Sequence, residues 1–269
     1  MTARQREHEN SGAEANRLRL SVVGSGTCVL RGDRGPTALL FSNARSSLLI
    51  DIGPGVARKL ADHCDPYGLD AMCLTHLHAD HVCDLPALLF AFRNTPGAVR
   101  QKPLKIYGPI GLKKHLDLLT ALHGHSIAPE CGVESVELDP AGGNIELEGG
   151  MRLAWSRADH GAQPALSYRV QADGRCAAYS GDSGPCDELV DLARGADLLI
   201  AECSATDQAP LPGHLAPSQI ALIAKRCAVK RLLLVHLYPE SAAADPLSII
   251  GNQYSGEALL GFDGMQIEV

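Results

Sequence analysis

The segment Thr75–His81, THLHADH, brings three imidazoles and one carboxylate together within a few residues. It follows the apolar run LDAMCL, which predicts a buried strand, and precedes VCDLPALLFAF, which predicts a helix. Side chains alternate along an extended segment, so His76 and His78 should face the same side. A turn can then bring Asp80 and His81 to a second point nearby. Because imidazole nitrogens and carboxylate oxygens are good zinc ligands, the segment predicts a metal site at the end of a strand.

The four side chains of this segment cannot hold two metal ions, because a catalytic zinc takes about three protein ligands and a water molecule. A site for two ions therefore needs further ligands from elsewhere in the chain. Three polar side chains stand where apolar strands stop: His160 after WSRAD, Asp182 in YSGDSG, and His236 after RLLLV. Burying such a group without a partner costs free energy, so three of them indicate a shared partner. Taken singly, each could equally be a hydrogen-bonded core histidine or a capping aspartate.

Strand and helix patterns fill the rest of the chain. RLSVV, TALLF, SSLLI, AWSR, LSYRV, CAAYS, LLIAE and RLLLV predict strands, whereas GLKKHLDLLTALHG and PSQIALIAKRC have the apolar spacing of helices. Strands occur both in succession and in alternation with helices. Two sheets packed back to back, with helices outside, is the natural architecture, a four-layer αββα sandwich of the α/β class.

A known family shares these motifs. THLHADH resembles the HxHxDH signature of the metallo-β-lactamase superfamily, and LLIDIGPG resembles the segment before that signature. The resemblance extends from about Arg19 to Glu240 and implies the αββα fold, with a site at one edge between the sheets. It also implies a ligand set for two ions: His76, His78 and His160 for one, Asp80, His81 and His236 for the other, and Asp182 bridging both.

This ligand set implies two divalent metal ions per chain, with zinc expected and Mn²⁺ or Fe²⁺ as alternatives. A hydroxide bridging the ions would then be the nucleophile. The residue types also indicate the branch of the family. Electron-transfer members have glutamate where this chain has His78, so His78 favours hydrolysis. The antibiotic-cleaving lactamases have cysteine at the position of Asp182.

The segment LLIAECSATDQAPLPGHLAPSQ is similar to the region of the transfer-RNA 3′-processing nucleases (RNase Z) that contains HE-[AS]-T-F and GHS. Glu202 matches the glutamate and His214 the histidine of these motifs, and YGPIG resembles the YGP-x-G turn of the nucleases. The resemblance implies that Glu202 and His214 pass a proton to the leaving oxygen. A buried hydrogen-bonded pair that holds a loop is the alternative. Asp80 is a further catalytic candidate.

Three departures from the nucleases bear on the substrate. Ala201 and Leu215 stand where the nucleases usually have histidine and serine, and QADGRCAA predicts a hairpin where the bacterial enzymes insert an RNA-binding arm. The net charge of −7, without a visible basic patch, also argues against long nucleic acid. We therefore expect a phosphodiesterase for small phosphodiesters, such as cyclic nucleotides or phosphonate-pathway cyclic phosphates.

Other functions stay open at this point. A lactone or thioester hydrolase of the same fold and an RNase Z-type endonuclease are the enzymatic alternatives. A non-enzymatic metal-binding or ligand-binding protein is a third, although the intact ligand set speaks against it. A homodimer is also left open.

Composition limits the remaining possibilities. Residues 1–17 are polar and predict a disordered lead-in, and residues 18–269 predict one domain, with a glycine-rich turn at 139–150 between its halves. No apolar run reaches the length of about 18 residues that a membrane helix needs. The N-terminus lacks the apolar region of a signal peptide. Nine scattered cysteines without a CxxC pair fit a reducing compartment, so a cytoplasmic location is expected.

Weaker candidates lie near the predicted ligands. Asp51 could brace a ligand or simply make a hydrogen bond at a strand end. Tyr238 should point to the same side of its strand as His236 and could contact the substrate. His123 and His125 are assigned to a solvated loop.

Overall fold

The computed structural model describes residues 17–98 and 100–269. Apart from its last residue, the lead-in predicted for residues 1–17 lies outside the described part of the chain. The described residues form two seven-stranded sheets flanked by helices.

The first sheet has the strand order β14-β1-β2-β3-β4-β5-β6. Strands β3 to β6 are parallel to one another, whereas β14, β1, β2 and β3 alternate in direction. Its strands are β1 (Arg19–Gly24), β2 (Ala38–Ser42), β3 (Ser47–Ile50), β4 (Ala71–Cys73), β5 (Leu104–Gly108), β6 (Val133–Glu137) and β14 (Gln266–Glu268).

The second sheet has the order β13-β12-β11-β10-β9-β8-β7. Strands β10 to β13 are parallel, and β7 to β10 form an antiparallel meander. Its strands are β7 (Gly143–Glu146), β8 (Arg152–Arg157), β9 (Leu166–Ala172), β10 (Arg175–Tyr179), β11 (Leu198–Glu202), β12 (Arg231–Val235) and β13 (Glu257–Leu260).

Eight α-helices connect the strands within the described residues. They are α1 (Val56–Lys59), α2 (Ala79–Val82), α3 (Leu85–Asn94), α4 (Leu112–His123), α5 (Asp187–Ala193), α6 (Pro217–Cys227), α7 (Pro239–Ala243) and α8 (Pro246–Gly251). Short 3₁₀ turns follow α1 and α4, at Leu60–Asp62 and Gly124–Ile127.

Three apolar clusters show how the layers pack. Alternate strand residues such as Leu20, Phe41 and Tyr168 fill a central core between the two sheets. The opposite face of the first sheet packs against α1, α3 and α4, and that of the second sheet against α5, α6 and α8. Successive side chains of a strand point to opposite faces of its sheet, so each central strand contributes to the core between the sheets and to the core under the helices. The predicted αββα sandwich is confirmed.

The glycine-rich turn predicted at residues 139–150 is wrong in part, because it contains strand β7. Strands β6, β13 and β14 were not predicted either. All four strands lie at a sheet edge, and among their residues only Ile267 is buried. An edge strand without a buried face lacks the apolar alternation from which strands are predicted.

The hairpin predicted at QADGRCAA is confirmed. It joins β9 to β10 through Asp173 and Gly174, whose φ angles of 52° and 76° are both left-handed. Consecutive left-handed residues are typical of the tight turns that suit strand twist. Within the described chain all nine cysteines are free thiols. None of the helices there is both long and apolar enough to cross a bilayer.

Candidate metal centre

One edge of the sandwich collects the polar side chains predicted from the sequence. Strand β4 of the first sheet and several strands of the second sheet end at this edge. The chain after β4 is extended up to His78, where helix α2 begins, so Asp80 and His81 lie in the first turn of that helix. The other side chains follow strands of the second sheet: His160 after β8, Asp182 after β10, Glu202 at the end of β11, and His236 after β12.

His76, His78 and His160 form what we call the histidine cluster. His78 Nδ1 lies 2.9 Å from His76 Nε2 and 3.3 Å from His160 Nε2. One ligand atom from each ring therefore points to a common centre. These distances match hydrogen bonds only if one nitrogen of each pair carries a hydrogen.

The Nδ1 contacts of His160 and His76 indicate that the Nε2 atoms of these two rings carry no hydrogen. His160 Nδ1 lies 3.0 Å from the carbonyl oxygen of Gly213, which can only accept, so in the neutral ring Nδ1 carries the hydrogen. The Thr75 hydroxyl donates to the Asp51 carboxylate at 2.8 Å and can then only accept from His76 Nδ1, at 3.0 Å. Both Nε2 atoms thus face the centre as lone pairs, an arrangement that fits a bound cation.

Asp80, His81 and His236 form a second group, the mixed cluster. The Oδ2 atom of Asp80 lies 3.9 Å from His81 Nε2 and 3.7 Å from His236 Nε2. His81 Nδ1 donates to Asp51 at 2.9 Å, so its Nε2 also faces inward. The mixed cluster therefore offers two imidazoles and a carboxylate at a second point.

Asp182 lies between the two clusters. Its Oδ2 atom is 3.5 Å from His81 Nε2, 3.4 Å from His236 Nε2 and 3.9 Å from His76 Nε2. In the described chain, Asp182 Oδ1 and the Nε2 atoms of His81 and His236 are buried without a hydrogen-bond partner. Unpartnered buried polar atoms are costly, so their convergence fits a divalent ion that would supply the missing contacts.

The protonation states of the histidine cluster favour cation binding. Burial lowers the pKa of His76 to about 2, with a smaller contribution from His81. Burial also lowers the pKa of His78, helped by His160. Both rings are neutral at neutral pH, as a metal ligand must be.

The carboxylates are ionised although Asp182 is buried and Asp80 is partly buried. Burial alone would raise the pKa of Asp80, but the nearby imidazoles of His236 and His81 lower it to about 2. His236 and His81 likewise lower the pKa of Asp182 well below its usual range, against the effect of burial. In return, Asp182 and Asp51 outweigh burial and raise the pKa of His81. A proton on His81 Nε2 would compete with a cation for that nitrogen.

Glu202 and His214 form a pair beside both clusters. His214 Nδ1 donates to Glu202 Oε1 at 2.8 Å, and the Glu202 side chain is fully buried. Burial would lower the pKa of His214, but the hydrogen bond and charge of Glu202 raise it above its usual value. The His214 ring lies 5.0 Å from the His160 ring and 6.1 Å from the His236 ring, between centroids. A partly exposed imidazole beside the clusters, with its pKa raised in this way, can act as an acid.

The structure brings all seven predicted ligands and the Glu202–His214 pair to one place, and their individual roles stay predictions. Asp51 contacts His81 and also accepts a hydrogen bond from the Thr75 amide after β4, so both the bracing contact and the strand-end hydrogen bond are present. The Tyr238 ring lies 6.3 Å from the His236 ring, and its hydroxyl is 3.5 Å from Cys28 Sγ. His123 and His125 lie instead at the exposed end of α4 and in the 3₁₀ turn after it.

Two hydroxyl residues at the site were missed. Thr75 contacts His76, and Ser204 lies 2.8 Å from His236 Nδ1. Thr75 directly precedes the first histidine and Ser204 follows Glu202 by two residues. For Thr75 this proximity to a candidate ligand was the only signal in the sequence, whereas Ser204 occupies the position of the threonine in the nuclease motif HE-[AS]-T-F.

Comparison with known proteins identifies the family. Residues 47–237 match the family profile of the Beta-lactamase superfamily domain. The uncharacterized protein Rv1339 of Mycobacterium tuberculosis is 31% identical over 250 residues, covering 92% of this chain and 88% of the relative. A ribonuclease Z of Mycobacterium bovis is 28% identical over 280 residues, covering 94% of this chain and 98% of the relative.

Solved structures show the same architecture. YhfI from Bacillus subtilis, a metallo-β-lactamase fold protein, aligns with a TM-score of 0.81 at 24% identity, covering 93% of this chain and 99% of YhfI. The short form of human tRNase Z aligns at 0.74 and 26%, covering 93% and 98%. A diphosphatase from the PhnP family aligns at 0.68 and 23%, covering 94% and 98%. The chain therefore belongs to the β-lactamase superfamily, as a hydrolase of the metallo-β-lactamase fold with RNase Z-like relatives.

Proposed function

We propose that this protein is a phosphodiesterase that uses two divalent metal ions to hydrolyse small phosphodiesters. The observation that carries the proposal is the position of the Glu202–His214 pair, an acid beside both ligand clusters. Cleaving a phosphodiester with an alkoxide leaving group calls for such a proton donor.

The ligand assignment follows from the two clusters. We assign one ion to the histidine cluster and one to the mixed cluster, with Asp182 between them. Imidazole and carboxylate donors suit Zn²⁺, with Mn²⁺ or Fe²⁺ as alternatives. When bound, such ions lower the pKa of water to about 7 and neutralise charge on phosphoryl oxygens.

The protein groups hold these ligands in place and supply the proton. Asp51, Thr75 and the Gly213 carbonyl fix imidazole nitrogens of the clusters through hydrogen bonds. Glu202 accepts the Nδ1 hydrogen of His214, so the other nitrogen of that ring is the one free to protonate the departing oxygen. We therefore assign His214 as the general acid and Glu202 as its orienting base.

The short hairpin between β9 and β10 and the negative net charge both support a small substrate. Strands β9 and β10 are joined by a two-residue turn, Asp173–Gly174, which offers no arm for a long ligand. The net charge of −7 disfavours a polyanion, whose binding depends on lysine and arginine contacts to phosphates. The names ribonuclease Z and diphosphatase among the relatives both denote cleavage of bonds to phosphorus, which supports this chemistry over lactone or thioester hydrolysis.

A substrate panel tests the proposal. The protein is purified without chelator, its metal content is measured by elemental analysis, and turnover is measured on bis(4-nitrophenyl) phosphate, a cyclic nucleotide, a lactone, a thioester and a precursor transfer RNA. We expect two ions per chain and hydrolysis of the two diesters. Efficient cleavage of the lactone, the thioester or the RNA in place of the diesters would assign the site to that substrate class. A protein that takes up no metal would contradict the central claim.

A further inference from the structure

We infer that Ser204 is a positioning residue of the metal centre. Its hydroxyl holds His236 in the tautomer and backbone conformation that direct Nε2 into the mixed cluster. The inference rests on the two-ion centre proposed above, but not on the phosphodiester substrate.

The hydrogen-bond directions around Ser204 are fixed by elimination. The side chain is buried, with 4% exposure, and its Oγ atom lies 2.8 Å from His236 Nδ1 and 3.1 Å from the His236 carbonyl oxygen. A carbonyl oxygen only accepts, so the single hydroxyl hydrogen goes to it. The Oγ lone pairs then face Nδ1, which must donate. Nε2 is consequently left without a hydrogen, on the side of Asp80 and Asp182.

The backbone of His236 also needs support. Its φ angle is 52°, in the left-handed region that residues with a side chain rarely adopt. Such conformations persist only where neighbouring contacts over-determine them. The Ser204 hydroxyl binds the carbonyl of this residue, and the amide of Cys203 donates to the carbonyl of Val235 just before it. The end of β11 thus clamps the turn that follows β12.

Ser204 also contacts the proton-donating pair. Its backbone amide donates to Glu202 Oε2 at 2.9 Å, while Oε1 of the same carboxylate accepts from His214. One residue therefore connects a proposed ligand to the proposed acid. The amide contact survives replacement of the side chain, so a side-chain substitution tests the His236 contact alone.

A matched control is available in the central part of the second sheet. Ser167 is fully buried, and its hydroxyl donates to the Ser180 carbonyl at 2.6 Å. Removing that hydroxyl deletes a buried hydrogen bond of the same type as the Ser204 contact to its carbonyl. It does not touch an imidazole of either cluster, so Ser167→Ala should leave metal binding unchanged.

Titration of the metal-stripped protein with Co²⁺ or Zn²⁺ tests the inference. We expect the wild type to bind two ions, and Ser204→Ala to bind one ion normally and the other with affinity reduced about 10- to 100-fold, the usual cost of losing an outer partner of a ligating histidine. The Co²⁺ absorption of the weakened site should change as well. Ser204→Thr keeps the hydroxyl and should restore the second ion.

The outcomes separate the inference from the proposed function. A wild type that binds fewer than two ions contradicts the two-ion centre, whatever Ser204 does. The role of Ser204 is overturned if the wild type binds two ions and Ser204→Ala binds both with wild-type affinity. It is also overturned if Ser204→Ala weakens the binding of both ions to the same extent. If Ser204→Ala does not fold, Ser204→Cys retains the size with a weaker hydrogen bond and should weaken the same single ion. Wild-type affinity in that variant would also overturn the inference.

Discussion

Asp182 is the residue on which the ligand assignment depends most. It reaches histidine nitrogens from both clusters, whereas His123 lies on the exposed end of a helix. We predict that Asp182→Ala lowers turnover by more than about 100-fold, since losing a ligand should cost at least as much as losing an outer partner. His123→Ala should keep wild-type turnover.

Both variants should show the circular dichroism of the wild type. Comparable losses of turnover in the two folded variants would mean that the ligand assignment is wrong.

The Glu202–His214 pair can be tested through the leaving group. A ribose alkoxide needs a proton in the transition state, whereas nitrophenolate departs readily without one. We predict that His214→Ala loses about 100- to 10,000-fold on an alkyl diester, the typical contribution of a general acid, and much less on bis(4-nitrophenyl) phosphate. Glu202→Gln should show the same pattern more weakly, because it orients the imidazole.

Bound metal is measured in both variants and should stay at the wild-type level. A pair that only holds a loop predicts equal losses on the two diesters, together with lower stability or lost metal. That result would contradict the role of His214 as a proton donor, even if the metal centre is confirmed.

Among the elements, the hairpin between β9 and β10 depends on one glycine. Gly174 has a φ angle of 76°, and a Cβ at this position would meet open space. The cost of a side chain there is conformational, not steric. We predict that Gly174→Ala lowers the free energy of unfolding by about 1 kcal/mol, measured by urea denaturation.

Gly251 is the matched control. It ends α8, its backbone is not left-handed, and a Cβ there also meets open space. Gly251→Ala should be neutral or slightly stabilising, because alanine favours helices. Equal destabilisation by both substitutions would refute the conformational argument.

At the scale of the whole molecule, the metal centre should contribute to stability. The proposed centre lies where the two sheets meet at one edge, and in the described chain three of its buried atoms, Asp182 Oδ1 and the Nε2 atoms of His81 and His236, lack a hydrogen-bond partner. A ligand at about 100 times its Kd stabilises the folded state by about 2.7 kcal/mol, which raises the Tm by about 5–10 °C for a protein of this size. We predict a fall of that order when the ions are removed by chelation, and recovery when Zn²⁺ is added.

Differential scanning calorimetry measures this effect, with Asp182→Ala as the control that should respond less to the chelator. Identical Tm values for the wild type with and without chelator would show that the ions do not bind the folded protein tightly.

Patterns along the chain were enough to predict the αββα architecture, which is confirmed, and the seven candidate ligands, which the fold brings together at one edge. Runs of apolar residues predict buried strands. A polar residue at the end of such a run, as at Asp182 and His236, is therefore easy to recognise as a candidate site residue. Edge strands β6 and β7 could not be predicted in this way, because their exposed side chains carry no apolar alternation.

The nitrogen of each histidine that points toward the other ligands is set by the fold and could not be predicted from the sequence. That choice depends on partners distant in sequence, such as Gly213 for His160 and Ser204 for His236. The Gly213 carbonyl has no pattern along the chain, and the place of Ser204 in a motif does not say which histidine nitrogen it contacts. A hydrogen bond between strand ends is set by how the sheets are ordered, so its direction exists only once the fold has formed.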